Sequence, residues 1–426
     1  MIQELTINLS NLLLSLSDAV DLASPNIGQH QMRTAFASWQ VAKEMGLPQE
    51  TQERIYAAAL LHDIGALAPE DKVRLHDFEE SDLEPHCVQG QWLFQLTPLL
   101  RPSSDIVRYH HRPWNEWNGL EDHPDALPSQ IVYAADYMER ITRRSQFILH
   151  QSDRITRKVT SLSGTEIHPL VAEAFREVAR REDFWLDLTS PRLYTLLLRY
   201  GPFRKEEIGL HDLASVALLF RTIIDFRSEF TATHSTGVAE CSALLARLFG
   251  LTDTEVLLMR MAGDFHDLGK LAIPNTILCK KGRLTDEELA IIRQHTYFTY
   301  TVLNTIEGLE QIAQWAAFHH ERLDGTGYPF HLTAEKLNTG ARIVAVADVF
   351  TAVAEDRPYR EGLPQEKVAE ILQGLARKDH LDKRIVQLLL DNYSEIHTQV
   401  KEAQARALAQ FADQFAQIAA ALSATT

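Results

Sequence analysis

Apolar positions recur at the helical period along most of the chain. The stretches ETQERIYAAALLHDI (50–64) and TEVLLMRMAGDFHDL (254–268) show the pattern most clearly. Two helix starts carry a capping box, Thr252 with Glu255 and Thr285 with Glu288. There, hydroxyl and carboxylate satisfy backbone N–H groups reciprocally. Gly46 and Gly250 stand where helices should stop. The β-branched run Ile343, Val344 and Val346 is interspersed with alanine and predicts a buried helix rather than a strand. The fold class expected is all-α. In the tail, Leu408, Phe411, Phe415, Ile418 and Leu422 step by 3, 4, 3 and 4. That stripe must dock on the chain itself or form a two-fold homodimer contact.

An internal duplication stands out. The first half carries His30, Gly46-Leu47, His62-Asp63, His86, His110-His111 and Ala135-Asp136. The second carries His234, Gly250-Leu251, His266-Asp267, His295, His319-His320 and Ala347-Asp348. His30 and His62 are 32 residues apart, as are His234 and His266. His86 and His110 are 24 apart, as are His295 and His319. The longer intervals of the second copy fall in the stretches holding KKGRL and DGTGYP, where loops absorb insertions.

Composition changes the picture little. The chain has 426 residues, 45% of them hydrophobic, and a formal net charge of −16. The acidic balance argues against binding to a nucleic-acid polymer or an anionic membrane. No apolar run reaches the ~20 residues that span a bilayer. The N-terminal stretch, with Glu4 and Asp18, reads as an amphipathic soluble segment rather than a signal peptide. Three widely spaced cysteines, Cys87, Cys241 and Cys279, make a reducing cytoplasm the expected compartment.

Neutral imidazole and carboxylate are good ligands for iron, manganese, zinc or nickel. One His-Asp doublet is weak evidence, but five His/Asp sites in the same order, twice, on helices with apolar faces point to metal. His234 shares its helix face with Val238, Cys241 and Leu245, so it points inward. Hydrogen-bonded core histidines are the alternative.

The second copy resembles the HD-GYP family of the HD phosphohydrolase superfamily, over roughly Asp225 to Asp391. The residues that carry the likeness are His266, Asp267, Gly269 and Lys270; His295; His319, His320, Glu321, Asp324, Gly325, Gly327, Tyr328 and Pro329; and Ala347, Asp348, Val349, Phe350, Asp356, Arg357, Pro358, Tyr359 and Arg360. The resemblance implies a phosphodiesterase that linearises cyclic di-GMP, in some members acting on to GMP or on cyclic GMP-AMP. A non-catalytic cyclic-dinucleotide receptor is a further alternative.

It also implies two divalent metal ions, iron or manganese first, with zinc, nickel or magnesium possible. One would take His234, His266, Asp267 and Asp348. The other would share Asp267 and add His295 and His319, with His320 as a further ligand or turned toward phosphate. Two ions roughly 3.5–4 Å apart suit in-line attack on a phosphodiester. Asp267 and Lys270 are the expected catalytic residues. Lys270, Gly327, Tyr328, Pro329, Arg357 and Arg360 are the expected substrate contacts. Three-metal members carry a Glu one turn before the first His; here Phe230 holds that place and Glu229 is rotated away, so two ions are expected.

The first copy is similar to a divergent HD domain. It keeps His30, His62, Asp63, His86, His110, His111 and Asp136 as a possible further metal site. It has Ala66 where the second copy has Lys270, and no Gly-Tyr-Pro. A regulatory or structural role is expected for it. The organisation expected is a divergent HD domain over 1–150, a helical connector over 151–209, an HD-GYP phosphodiesterase domain over 210–400 and a C-terminal helix over 401–426.

Overall fold

Helices begin where the caps put them. Both capping boxes form: Thr252 opens Asp253–Phe265 and Thr285 opens Asp286–Asn304. Gly250 closes His234–Phe249 with a left-handed φ of 91°. The computed structural model describes residues 6–22, 28–76, 82–227, 233–356 and 361–425; the side chains of Phe226 and 414–425 are outside the description. Glu229, Phe230, the expected contacts Arg357 and Arg360, and the motif residues Pro358 and Tyr359 also lie outside the described residues.

The described chain is all-α apart from one two-residue antiparallel pairing, Ile7–Asn8 with Glu207–Ile208. It forms two compact units, Met1–Asp212 with Ile418–Thr426, and Leu213–Gln417. Each contains the same run of five helices. In the first they are His30–Glu44, Gln49–Leu60, Glu84–Gln95, Ser104–Tyr109 and Ala126–Arg140. In the second they are His234–Phe249, Asp253–Phe265, Asp286–Asn304, Glu310–Ala317 and Thr339–Ala354. The last contains Ile343, Val344 and Val346, all buried, so the alanine-rich reading of that run as helix holds. Burying its apolar side chains on all sides leaves Asp348 inside, where a carboxylate needs partners.

Residues 151–209, expected as a connector, fold into the first unit. Their helices Ser152–Ser161, Pro169–Ala179, Glu182–Leu188 and Leu193–Tyr200 bury Ile155, Val159, Val171, Phe175, Phe184 and Trp185. Phe184 stacks on Phe36 of the His30 helix, ring centres 5.7 Å apart. Each of these helices has an apolar stripe that needs a partner surface, and the first copy supplies it.

The tail is not a separate helix starting at 401. It continues Tyr393–Thr425, and its inward face in the second unit is Ile396, Val400, Ala403, Gln404 and Ala407. Gln404 donates to the Thr233 carbonyl at 3.2 Å. Leu408, first in the expected stripe, is 55% exposed. The small Ala403 and Ala407 let the helix approach closely, and Leu408 lies off that face. Phe415, Ile418 and Leu422 lie outside the described side chains. No helix of the described residues is long and apolar enough to cross a membrane. Cys87, Cys241 and Cys279 are free thiols.

Candidate metal centres

In the second unit, five elements bring seven expected ligands together. His234 opens its helix, and Nε2 lies 3.0 Å from Asp348 Oδ1. His266 and Asp267 follow Asp253–Phe265 at a tight turn. His295 is central in Asp286–Asn304, and His319-His320 end a short 3-10 turn. Donor atoms of His234, His266 and Asp348 lie within 4.8 Å of one another, as do those of His295, His319 and His320. All are buried except His320, whose side chain is 31% exposed.

The backbone decides what these rings can do. His266 Nδ1 donates to the Gly263 carbonyl at 2.7 Å, His295 Nδ1 to Ile292 at 2.7 Å and His319 Nδ1 to Ala316 at 2.6 Å. A neutral ring that donates through Nδ1 has only a lone pair at Nε2. Those lone pairs are aimed at one another and at carboxylate. His295 Nε2 and His319 Nε2 are 3.4 Å apart, and His266 Nε2 is 3.1 Å from Asp267 Oδ2. His266 Nε2 is buried without a hydrogen-bond partner. Acceptor facing acceptor in a dry interior is unfavourable unless a cation lies between. The donor set therefore fits divalent metal.

The electrostatics agree. Burial pushes His295 down to about 3 and, with the neighbouring His320, holds His319 well below its usual value. Burial also lowers His320. These rings are neutral, as ligands must be. Burial opposes charge on Asp267, but the Lys270 ammonium beside it helps hold the carboxyl well below the usual range. His234 differs: burial opposes its charge, yet hydrogen bonds to Asp348 and Glu355 raise it to about 10. Glu355 Oε2 lies 3.3 Å from His234 Nδ1 and orients that ring. Lys270, expected to face phosphate, gives its ammonium to Asp267 Oδ2 at 2.5 Å.

Two glycines permit this packing. A Cβ on Gly269 would lie 1.9 Å from the His295 carbonyl oxygen, so the turn after Asp267 touches the His295 helix backbone directly. Thr299 locks the contact, accepting from Gly269 N at 2.9 Å and donating to the His266 carbonyl at 3.1 Å. A Cβ on Gly327 would meet backbone of His320, Glu321 and Arg322 within 2.6 Å. The loop therefore folds back onto the chain just after the 3-10 turn, where Tyr328 N donates to the His320 carbonyl at 3.2 Å. The Tyr328 ring then lies 4.9 Å from His320. Glu321, buried, accepts from Phe330 N at 2.7 Å and Leu332 N at 2.9 Å. The Phe330 and Leu332 side chains pack on Phe318, Leu337 and Ala341 beneath.

The first unit repeats the arrangement. His62 Nδ1 donates to the Ala59 carbonyl at 2.9 Å and His110 Nδ1 to Val107 at 2.6 Å. His30 Nε2 and His62 Nε2 are 3.3 Å apart, as are His86 Nε2 and His110 Nε2. Asp63, His86, His110 and His111 form one candidate group, and His30, His62 and Asp63 another. Asp136 Oδ1 is 3.4 Å from His30 Nε2. A Cβ on Gly65 would lie 2.0 Å from the His86 carbonyl oxygen, matching Gly269. Glu139 takes the place of Glu355, accepting from His30 Nδ1 at 2.6 Å. The cations differ: with Ala66 in the lysine's place, Arg140 pairs with Asp136 at 3.3 Å.

Sequence reasoning missed Glu139, Glu355, Thr299 and Arg140. Glu139 and Arg140 had a signal, standing three and four residues after Asp136 on one helix. Thr299 had the same signal, standing four residues after His295 on its helix, whereas Glu355 had none beyond polarity near a ligand.

Models of the HD domain match residues 27–141 and 219–385. The 3'3'-cGAMP-specific phosphodiesterase 1 of Vibrio cholerae is 28% identical over 404 residues, 92% of this chain and 94% of that protein. The cyclic di-GMP phosphodiesterase response regulator RpfG of Xanthomonas campestris is 35% identical over 193 residues, 45% of this chain and 50% of that one. The crystal structure of a cyclic GMP-AMP-specific phosphodiesterase of V. cholerae matches with a TM-score of 0.63 at 19% identity, over 91% of this chain and 98% of that chain. That likeness is one of fold.

Proposed function

Because the chain belongs to the HD-domain proteins, with two HD domains in tandem, we propose that its second unit is a metal-dependent phosphodiesterase that linearises a cyclic dinucleotide. One observation carries this: proton-free nitrogens of His266, His295 and His319 converge with Asp267 beneath the loop that holds Tyr328. His234, His266, Asp267 and Asp348 would hold one divalent ion. Asp267, His295 and His319 would hold the second, with His320 as a further ligand or turned toward phosphate. Asp267 is suited to both, because Oδ2 faces His266 while Oδ1 faces His295 at 3.4 Å. Divalent ions held by these residues would supply Lewis acidity toward a phosphoryl oxygen and would lower the pKa of water near the phosphodiester.

The chain's own residues do the rest. Carbonyls of Gly263, Ile292 and Ala316 hold three rings in the ligating tautomer. Lys270 keeps Asp267 ionised in a dry site. Gly327, Tyr328 and Pro329 form the wall against which the substrate is oriented. The donor set suits iron or manganese. The first unit serves a regulatory or structural role, binding metal through His30, His62, Asp63, His86, His110, His111 and Asp136.

For the substrate we put 3'3'-cGAMP first, because the relative matched across nearly its whole length is named as specific for it. Cyclic di-GMP, first on motif grounds, is the second reading, supported by relatives that match less than half of this chain. The test is to incubate the metal-loaded full chain with each compound and resolve the products. Faster conversion of 3'3'-cGAMP to a linear dinucleotide is expected. Intact substrates with metal fully bound would refute the phosphodiesterase reading.

A further inference from the structure

Arg357 and Arg360, the cations expected from the motif, lie outside the described residues, so a partner for the second phosphate is sought among the described ones. A cyclic dinucleotide carries two phosphodiesters. With one at the cluster, the other lies toward the open side. Lys270 is occupied by Asp267 at 2.5 Å, so it holds the cluster rather than the distant phosphate.

Arg293 stands two residues before His295 on the same helix. It is exposed, and its guanidinium lies 5.3 Å over the Tyr328 ring. That ring in turn lies 4.9 Å from His320, whose ring is 5.2 Å from His295. The chain of contacts thus runs from the cluster through His320 and Tyr328 to Arg293. An arginine lying on an aromatic face keeps its edge N–H groups directed outward and loses little freedom when they bind. A phosphate is the natural partner for that planar fork.

The first unit supplies the contrast. Two residues before His86 stands Glu84, and it pairs with Arg108. At matching positions, one centre presents a cation and the other a carboxylate.

We propose that Arg293 binds the substrate phosphate that is not being cleaved, with Tyr328 holding its guanidinium in place. The proposal rests on the phosphodiesterase reading above. A phosphate contact of this kind predicts a loss in KM, because it holds substrate and transition state alike.

The test compares Arg293→Ala, Arg293→Lys and Arg293→Glu with the wild-type metal-loaded full chain, using 3'3'-cGAMP and cyclic di-GMP. Metal content, KM, kcat and the salt dependence of KM are measured. Arg293→Ala should raise KM about tenfold with kcat and metal content near wild type. Arg293→Glu should raise it further, and Arg293→Lys should recover part of the loss. KM in Arg293→Ala should also respond less to salt. Unchanged KM in Arg293→Ala and Arg293→Glu would overturn the proposal. So would a fall in kcat accompanied by metal loss, which would make Arg293 structural. If the wild type cleaves neither compound, the phosphodiesterase reading fails, and calorimetric titration with the same compounds decides separately on Arg293. Weaker binding by Arg293→Glu than by wild type would then support it. Equal binding, or none by the wild type, would overturn it.

Discussion

The two centres share their ligands and differ in what surrounds them. Both set histidine tautomers with the carbonyl three residues back, and both close the His-Asp turn with a glycine pressed on the next helix. Around that common frame, the first centre pairs Arg140 with Asp136 and has no Gly-Tyr-Pro loop. The second pairs Lys270 with Asp267 and carries a loop tied down by Glu321. The backbone geometry that aims the ligand-type side chains thus survives duplication. The copies diverge in the residues at the edge, where the proposed phosphodiester recognition would be decided.

The sharpest way to break the comparison is to remove the equivalent aspartates. Asp267→Ala should lower cyclic-dinucleotide hydrolysis by about 10³-fold or more and reduce bound metal, measured by product analysis and elemental analysis. Asp63→Ala should lower metal content by a similar count yet leave most of the hydrolysis. Equal losses of activity in two folded variants would mean the centres work as one.

The loop comes next. Gly327→Ala forces a methyl into the backbone of His320 and Glu321, so the wall must move. A fall of about 10–100-fold in kcat/KM with unchanged metal content is expected. A wild-type rate would show that the wall is not needed.

Glu321→Gln is a milder version of the same test. The amide keeps one acceptor for the two N–H groups of Phe330 and Leu332, so one of them loses its partner. A loss of several-fold in kcat/KM is expected, with Glu321→Ala falling further. The first unit has Arg112 at the matching position and no such loop, so no equivalent effect exists there.

The last test concerns the stability of the second unit against pH and leaves activity aside. Burial pushes Asp225 up to about 7, only partly opposed by the Ser235 hydroxyl that donates to it at 2.6 Å. Between about pH 4 and 7 the unfolded carboxyl ionises while the folded one keeps its proton. The folded state then binds more protons, so stability contributed by this group is lost as pH rises through that window. Asp225→Asn should flatten the decline in the chelated protein, by up to about 4 kcal/mol across the window. Identical denaturation midpoints across the window in both proteins would show that Asp225 titrates normally.

What the sequence determined by itself was periodic and local. Helical apolar spacing, two capping boxes and the stop at Gly250 set the elements, because each depends on residues within a turn or two. Duplication of His/Asp landmarks at matched intervals identified both centres, because equal chain separation on equal helices brings the same donors together. Other features depended on contacts between distant segments. Residues 151–209 looked like a connector because they lack His and Asp landmarks, but their apolar stripes belong to the first unit's core. The tail docks through Ala403, Gln404 and Ala407 rather than Leu408, since close approach favours small residues over large ones. Lys270 turned to Asp267, and Glu139 and Glu355 took the same task from unequal positions, three and seven residues after their aspartates. A side chain's partner is whatever the fold places within about 3 Å, and no spacing rule along the chain encodes that.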